Sequence, residues 1–220
     1  MDFKTQVGSA SALSNLAADA LLVVLSGDKA PAALDKALAT ALDAAVQAGD
    51  FQYKGGQALY AYRVAGVKAA RVMFVHAGDA APKMLKKAVG GAVAALKSGG
   101  AQQLMVVMCG GPEASAAHGE ALVLAADEAI YLYRHTKPSA AAASKLNAVC
   151  FIVSKAQQAA VAEGMKCGEA IAAGVHAARE LANRPGNHCT PRDLADHAKK
   201  LGKTHGLQHF HLFIADAVGI

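Results

Sequence analysis

The chain has no C-x-x-C pair, no H-E-x-x-H, no G-x-S-x-G and no apolar run long enough to span a bilayer. Each absence removes a class of protein. Four cysteines, Cys109, Cys150, Cys167 and Cys189, stand far apart, which argues against a redox dithiol or a thiolate zinc knuckle and for free thiols in a reducing compartment. Met1-Asp2-Phe3-Lys4-Thr5-Gln6 carries no apolar h-region, and the run at residues 17–25 is interrupted by Asp19. A soluble, cytoplasmic protein is expected, with no membrane contact.

What is present is enough apolar material for a real core. Of 220 residues, 54% are hydrophobic, and 22 Lys and Arg against 17 Asp and Glu give a net charge of +5. A chain of this size buries one domain and can begin a second. A basic excess this small describes a solvated surface better than a nucleic-acid footprint.

Strand-like and helix-like stretches alternate along the first two thirds. Residues 3–7 and the continuous β-rich run 20–25 read as strands, the second ending in the turn Ser26-Gly27-Asp28. Pro31 opens an alanine-rich helix with Leu34, Leu38, Leu42 and Val46 at four-residue spacing. Strands follow at 58–64 and 71–76, paired across a turn at Gly66, then a basic amphipathic helix at 82–97 and a strand at 103–108. A helix at 114–133, a small-residue surface loop at 139–144 and a strand at 147–153 complete the alternation. The pattern predicts an α/β fold with a mostly parallel sheet and helices on both faces.

The most specified stretch is Leu181-Ala182-Asn183-Arg184-Pro185-Gly186-Asn187-His188-Cys189-Thr190-Pro191. Val161, Met165, Ile171, Val175, Ala178 and Leu181 recur at helical spacing before it, predicting a long helix over 154–182 with one apolar face. Pro185 and Gly186 stop that helix. Thr190 stands at an N-cap position with Pro191 in the first turn, so a second helix is expected over 191–203. Residues 208–215 read as a further strand.

Several groups of residues invite a chemical reading. His188, His197, His205, His209 and His211 crowd the last 33 residues with Asp193, Asp196 and Asp216 near them, but without metal-site spacing, and solvent-facing histidines are the expectation. Cys109-Gly110-Gly111-Pro112 follows a strand and precedes a helix, where backbone N–H groups can cradle a phosphate. It is neither G-x-G-x-x-G nor a P-loop, and any α/β protein places a glycine turn there. Lys83, Lys86, Lys87 and Lys97, with Arg63, Lys68 and Arg71 earlier, form a basic face best read as solvated. Ser26 lacks a nucleophile-elbow context, and Cys189 beside His188 is only a sequence neighbour. No catalytic, cofactor-binding or metal residue is assigned.

The run Gly174-Val175-His176-Ala177-Ala178-Arg179-Glu180-Leu181-Ala182-Asn183-Arg184-Pro185-Gly186-Asn187, followed by Thr190-Pro191, resembles the segment between the two domains of leucyl (cytosol) aminopeptidases. Phe51-Gln52-Tyr53-Lys54-Gly55-Gly56-Gln57 and Ala70-Arg71-Val72-Met73-Phe74-Val75 sit in the order of that family's N-terminal domain. The resemblance is strongest over residues 168–191. It implies a macro-domain-like α/β N-terminal domain at 1–163, and an interdomain helix with the first elements of a catalytic domain at 164–220. The parent protein would be a peptidase using two divalent metal ions, zinc or manganese, to remove N-terminal residues from peptides.

Family catalytic and metal-binding groups lie around Gly-Lys-Gly, Asp-(Ser/Thr)-Gly-Gly and Asn-Thr-Asp-Ala-Glu-Gly-Arg, none of which occurs in this sequence. The expectation is therefore a structural or regulatory portion, inactive alone, whose partner is its own C-terminal catalytic domain. The resemblance also implies a hexamer for the full-length protein, and DNA binding by some bacterial relatives. The competing reading is a stand-alone macro-like module that binds a nucleotide or DNA and has no peptidase activity.

Overall fold

A computed structural model describes residues 1–206. Six strands build one sheet: β1 (Asp2–Val7), β2 (Ala20–Leu25), β3 (Ala58–Tyr62), β4 (Arg71–His76), β5 (Gln103–Cys109) and β6 (Ala148–Val153). Their order is β1-β6-β5-β2-β4-β3, with every pairing parallel except the β3–β4 hairpin. Five helices accompany them: α1 (Lys36–Ala48), α2 (Pro82–Leu96), α3 (Ala116–Ile130), α4 (Lys155–Ala182) and α5 (Pro191–His205). A short 3-10 turn, Ala10–Asn15, precedes β2. The strand expected at 208–215 lies outside the described residues.

β2 shows why the sheet is buried on both faces. All six of its residues are buried, and the pleat sends them alternately to two cores. Ala20, Leu22 and Val24 join a core formed with α2, α3 and the first half of α4. Leu21, Val23 and Leu25 join Leu38, Leu42 and Phe51 on the face covered by α1 and the 3-10 turn. Removing each such side chain from water stabilises the fold by roughly 1.5–3 kcal/mol. This is the reason β2 reads as a continuous apolar run rather than an alternating one.

The start of α1 differs from the sequence expectation. The helix begins at Lys36, not Pro31, because Asp35 acts as its N-cap. Asp35 Oδ1 accepts from the Ala37 N–H at 3.0 Å, while Oδ2 accepts from the Ser14 N–H and Oγ–H at 3.1 and 2.7 Å. Leu34 N–H donates to Pro31 O in a preceding turn. Leu34 is still buried, so its place in the apolar spacing came from packing and not from helix. At Gly66, φ is +77°, which confirms the turn joining β3 to β4.

The chain divides into two compact units. The first comprises Met1–Tyr131 with Ala142–Ala172, and the second Leu132–Ala141 with the residues from Ala173 onward. In the first unit, α4 packs on α3 with backbone nearly touching backbone. A Cβ at Gly164 would stand 1.8 Å from Ala116 O, and one at Gly119 would stand 2.3 Å from Val161 O. Only glycine permits that approach. The buried face of α4 is accordingly Val161, Gly164, Met165, Gly168 and Ala172. Ile171 and Val175, expected on the apolar face, are 40% and 48% exposed.

In the second unit, His188 and Cys189 both donate their backbone N–H groups to Pro185 O, at 2.8 and 3.1 Å. Thr190 caps α5 as its sequence position predicts. Its Oγ1 accepts from the Asp193 N–H at 3.3 Å, and Asp193 Oδ2 accepts from the Thr190 N–H at 2.8 Å. The Thr190 hydroxyl also donates to Asp193 Oδ2 at 2.7 Å, and this bond first, then that from the Thr190 N–H, holds the Asp193 carboxyl below the usual carboxylate range.

Candidate functional site

In an open parallel sheet, the crevice at the carboxyl ends of the strands is where ligands are ordinarily held. Here β2, β4 and β5 end in Leu25, His76 and Cys109, and the loops that follow them meet. Ser26 leaves β2 with its N–H donating to Cys109 O at 3.2 Å. Gly110 and Gly111 have φ of +82° and +73°. A Cβ at Gly111 would stand 2.5 Å from Ser26 Oγ, and one at Gly110 would stand 2.8 Å from Ser26 O. The glycines thus let the β5 turn close against the β2 turn.

Two buried histidines tie these loops together. His76 Nδ1 accepts from the Gly78 N–H at 3.3 Å, so its Nε2 carries the proton that is donated to Gly27 O at 2.8 Å. His118 repeats the pattern: Nδ1 accepts from the Ser115 N–H at 3.2 Å, and Nε2–H donates to Ala80 O at 3.0 Å. Ala80 itself has φ of +53°, a conformation that costs a non-glycine residue on the order of 1 kcal/mol or more. Its carbonyl is fixed by His118, and its N–H donates to Ala77 O at 2.9 Å.

Chemically, this edge is a tied knot of loops. Burial pushes the Cys109 thiol up to about 12, so it stays protonated and is a poor nucleophile at neutral pH. Ser26 Oγ is buried and has no hydrogen-bond partner among the described residues. His76 and His118 spend both ring nitrogens on backbone groups. Sequence reasoning passed over both histidines because each joins segments distant in the chain. Their position at the end of a strand and in the first turn of a helix was the available signal.

The other sequence candidates do not gather into a centre. Among the described residues, no group of three or more His, Cys, Asp and Glu is placed to hold a metal ion. His188 packs edge-on against His135 at 5.9 Å, while His205 is exposed. His209, His211 and Asp216 lie outside the described residues. On α2, Lys86 pairs with Glu128 at 3.0 Å, Lys97 donates to Ala129 O at 3.3 Å, and Lys83 and Lys87 are exposed. Arg63 and Arg71 stand 5.5 and 5.8 Å from the centre of the Tyr62 ring. No helix of the described residues is long and apolar enough to cross a membrane.

Fold and site together define the class: a mixed, mostly parallel α/β domain with a long helix leading out of it. Residues 20–139 match the model of the cytosol aminopeptidase family, N-terminal domain, and the chain belongs to that family. It is 49% identical over 203 residues to the "probable cytosol aminopeptidase" of Methylibium petroleiphilum, covering 92% of this chain and 42% of that protein. A protein of the same name from Polaromonas naphthalenivorans is 38% identical over 204 residues, covering 92% and 39%.

Among solved structures, a tomato leucine aminopeptidase variant superposes with a TM-score of 0.72 at 24% identity, over 94% of this chain and 43% of that one. A bottromycin maturation enzyme superposes with a TM-score of 0.61 at 26% identity, over 87% and 38%. The chain therefore spans about two fifths of the length of the curated relatives it matches.

Proposed function

We propose that this chain is the N-terminal portion of an aminopeptidase that removes N-terminal residues from peptides, and that its own role is structural or regulatory. The observation that carries the reading is the family match across the sheet domain, joined to relatives that are named aminopeptidases and extend over twice this length. In this reading residues 1–163 are the N-terminal domain, and 164–220 are the interdomain helix and the first elements of a catalytic domain. Two divalent ions, zinc or manganese, are proposed for the whole protein, in keeping with its family. The full-length protein is proposed to be cytoplasmic and hexameric, with its own catalytic domain as this portion's principal partner.

The test is the size of the native product, detected in source cells with an antibody raised against residues 1–163. A band at twice the 22.4 kDa of this chain or more supports the reading. A single band at 22.4 kDa overturns it and leaves a stand-alone binding module in its place.

A further inference from the structure

α2 covers only part of its face of the sheet. Between α2 and the β3–β4 hairpin lies an open groove of about 570 Å³, floored by Ala58, Tyr60, Met73 and Val75 and walled by Met84 and Ala88. Lys87 and His76 line it as well, and no acidic side chain does. Lys87 is exposed and makes no ion pair among the described residues. Beyond the groove's lining, on the same hairpin, Arg63 and Arg71 lie over the Tyr62 ring, Arg71 also donating to Asp19 O at 3.4 Å, so Lys87 is the cation of the groove wall and the two arginines lie past its floor.

β3 is the last strand of the sheet. Arg63 N–H donates to Ala70 O, and His76 N–H donates to Gln57 O, so residues 57, 59, 61 and 63 face β4. The alternation of an antiparallel ladder then turns the N–H and C=O groups of Ala58, Tyr60 and Tyr62 toward the free edge. Tyr60 and Tyr62 are 48% and 57% exposed. On the opposite wall, Gly90 and Gly91 sit inside α2, although glycine is a poor helix former. A Cβ at either would meet nothing within 4 Å. No contact within the described residues uses that space, and Gly91 lines the groove.

We propose that the β3 edge and this groove bind an extended peptide segment of a partner protein. The segment bears two apolar side chains at alternate positions and an acidic residue beside them. Its backbone would pair with the edge groups of β3 as an added strand. Apolar side chains two residues apart, about 7 Å along the strand, would drop into the groove against Met73, Met84 and Gly91. The acidic residue would meet Arg63 and Arg71 over Tyr62, or Lys87. Charge selects this occupant over a second copy of the chain, whose matching edge would bring the same cations.

The test uses the full 220-residue chain and a fluorescein-labelled peptide, Glu-Thr-Leu-Thr-Val-Thr-Glu, blocked at its carboxyl end. Anisotropy should show saturable binding that weakens as salt rises. Gly91→Leu puts a side chain into the groove from a Cβ position that meets nothing within 4 Å, and Ala58→Pro removes an outward-facing N–H while leaving the Tyr60 ring in the floor. Each should lower affinity at least tenfold, while Gly91→Leu leaves the thermal midpoint unchanged or higher. Unsaturable binding, equal affinity for Gly91→Leu, or equal affinity for a peptide with Leu and Val replaced by Ser would overturn the proposal. So would a chain dimer in sedimentation that the peptide does not dissociate. Peptidase activity plays no part in these readings, so their failure leaves the proposed function standing.

Discussion

The two halves of α4 share one helix and one kind of sequence but not one environment. From Lys155 to Ala172 the helix belongs to the sheet unit, with Val161 and Met165 buried and Gly164 and Gly168 pressed on α3. From Ala173 to Ala182 no residue is buried, and Val175 is half exposed. The first half is fixed by tertiary contact, which supplies most helical stability in proteins. The second half keeps an apolar composition without a comparable burial. Periodicity reports that a face is apolar. It does not report whether this chain contains what covers it.

The sharpest way to break this comparison is a pair of glycine substitutions in the same helix. Gly164→Ala places a methyl group against the Ala116 carbonyl, and we expect a loss of about 3 kcal/mol or more in urea unfolding. Gly174→Ala meets nothing within 4 Å and should be neutral or stabilise by up to about 1 kcal/mol. Equal effects at the two sites would contradict the division. A milder pair follows: Met165→Ala should cost about 2–4 kcal/mol, whereas Val175→Ala should stay within about 0.5 kcal/mol.

The two capping carboxylates extend the contrast to pH. Burial alone would raise the Asp35 carboxyl, but hydrogen bonds from Ser14, Ala37 and Leu38 outweigh it and hold the group below its usual 3.8. A carboxyl depressed in the folded state contributes stability that is present above the unfolded value and lost as pH falls through the folded one. Asp35→Asn should therefore flatten the fall in urea midpoint between pH 5 and the acid limit, and Asp35→Ala should cost about 1–2 kcal/mol at pH 7. Asp193 is lowered too, but it is fully exposed, and Asp193→Asn should move the midpoint less than Asp35→Asn does.

The smallest effect is read from the thiols. Cys109 and Cys150 are buried and Cys167 is exposed. A hydrogen bond to Glu120 raises Cys167, so at pH 8 it should react more slowly with a disulfide reagent than the same thiol in a Glu120→Ala variant. Two thiols should titrate in the native protein and four in urea. Native reactivity at Cys109 would show the sheet edge to be open.

Much of the sheet was legible because buried parallel strands announce themselves. The expected strands at 20–25 and 71–76 match β2 and β4 residue for residue, each a β-rich run bounded by turn residues. α5 was legible from Thr190 and Pro191, whose cap chemistry is local. The start of α1 was not, because Asp35 is selected by Ser14, 21 residues away. The carboxyl edge was half legible. The glycine turn at Gly110 and Gly111 was visible, but its use for closing on Ser26 depends on strands separated by more than eighty residues. His76 gave no motif, since what it binds is backbone, and His118, which meets Ser115 Oγ at 2.9 Å in the cap of α3, reaches Ala80 O only through the fold.

The measurement that bears most directly on the account is hydrolysis of leucine p-nitroanilide in the presence of manganese or zinc. It compares this chain with the protein extended to the length of its relatives. No turnover by the chain and metal-dependent turnover by the extended protein is the predicted result. Metal-dependent turnover by the chain alone would contradict it, and would require a centre that its described residues do not contain.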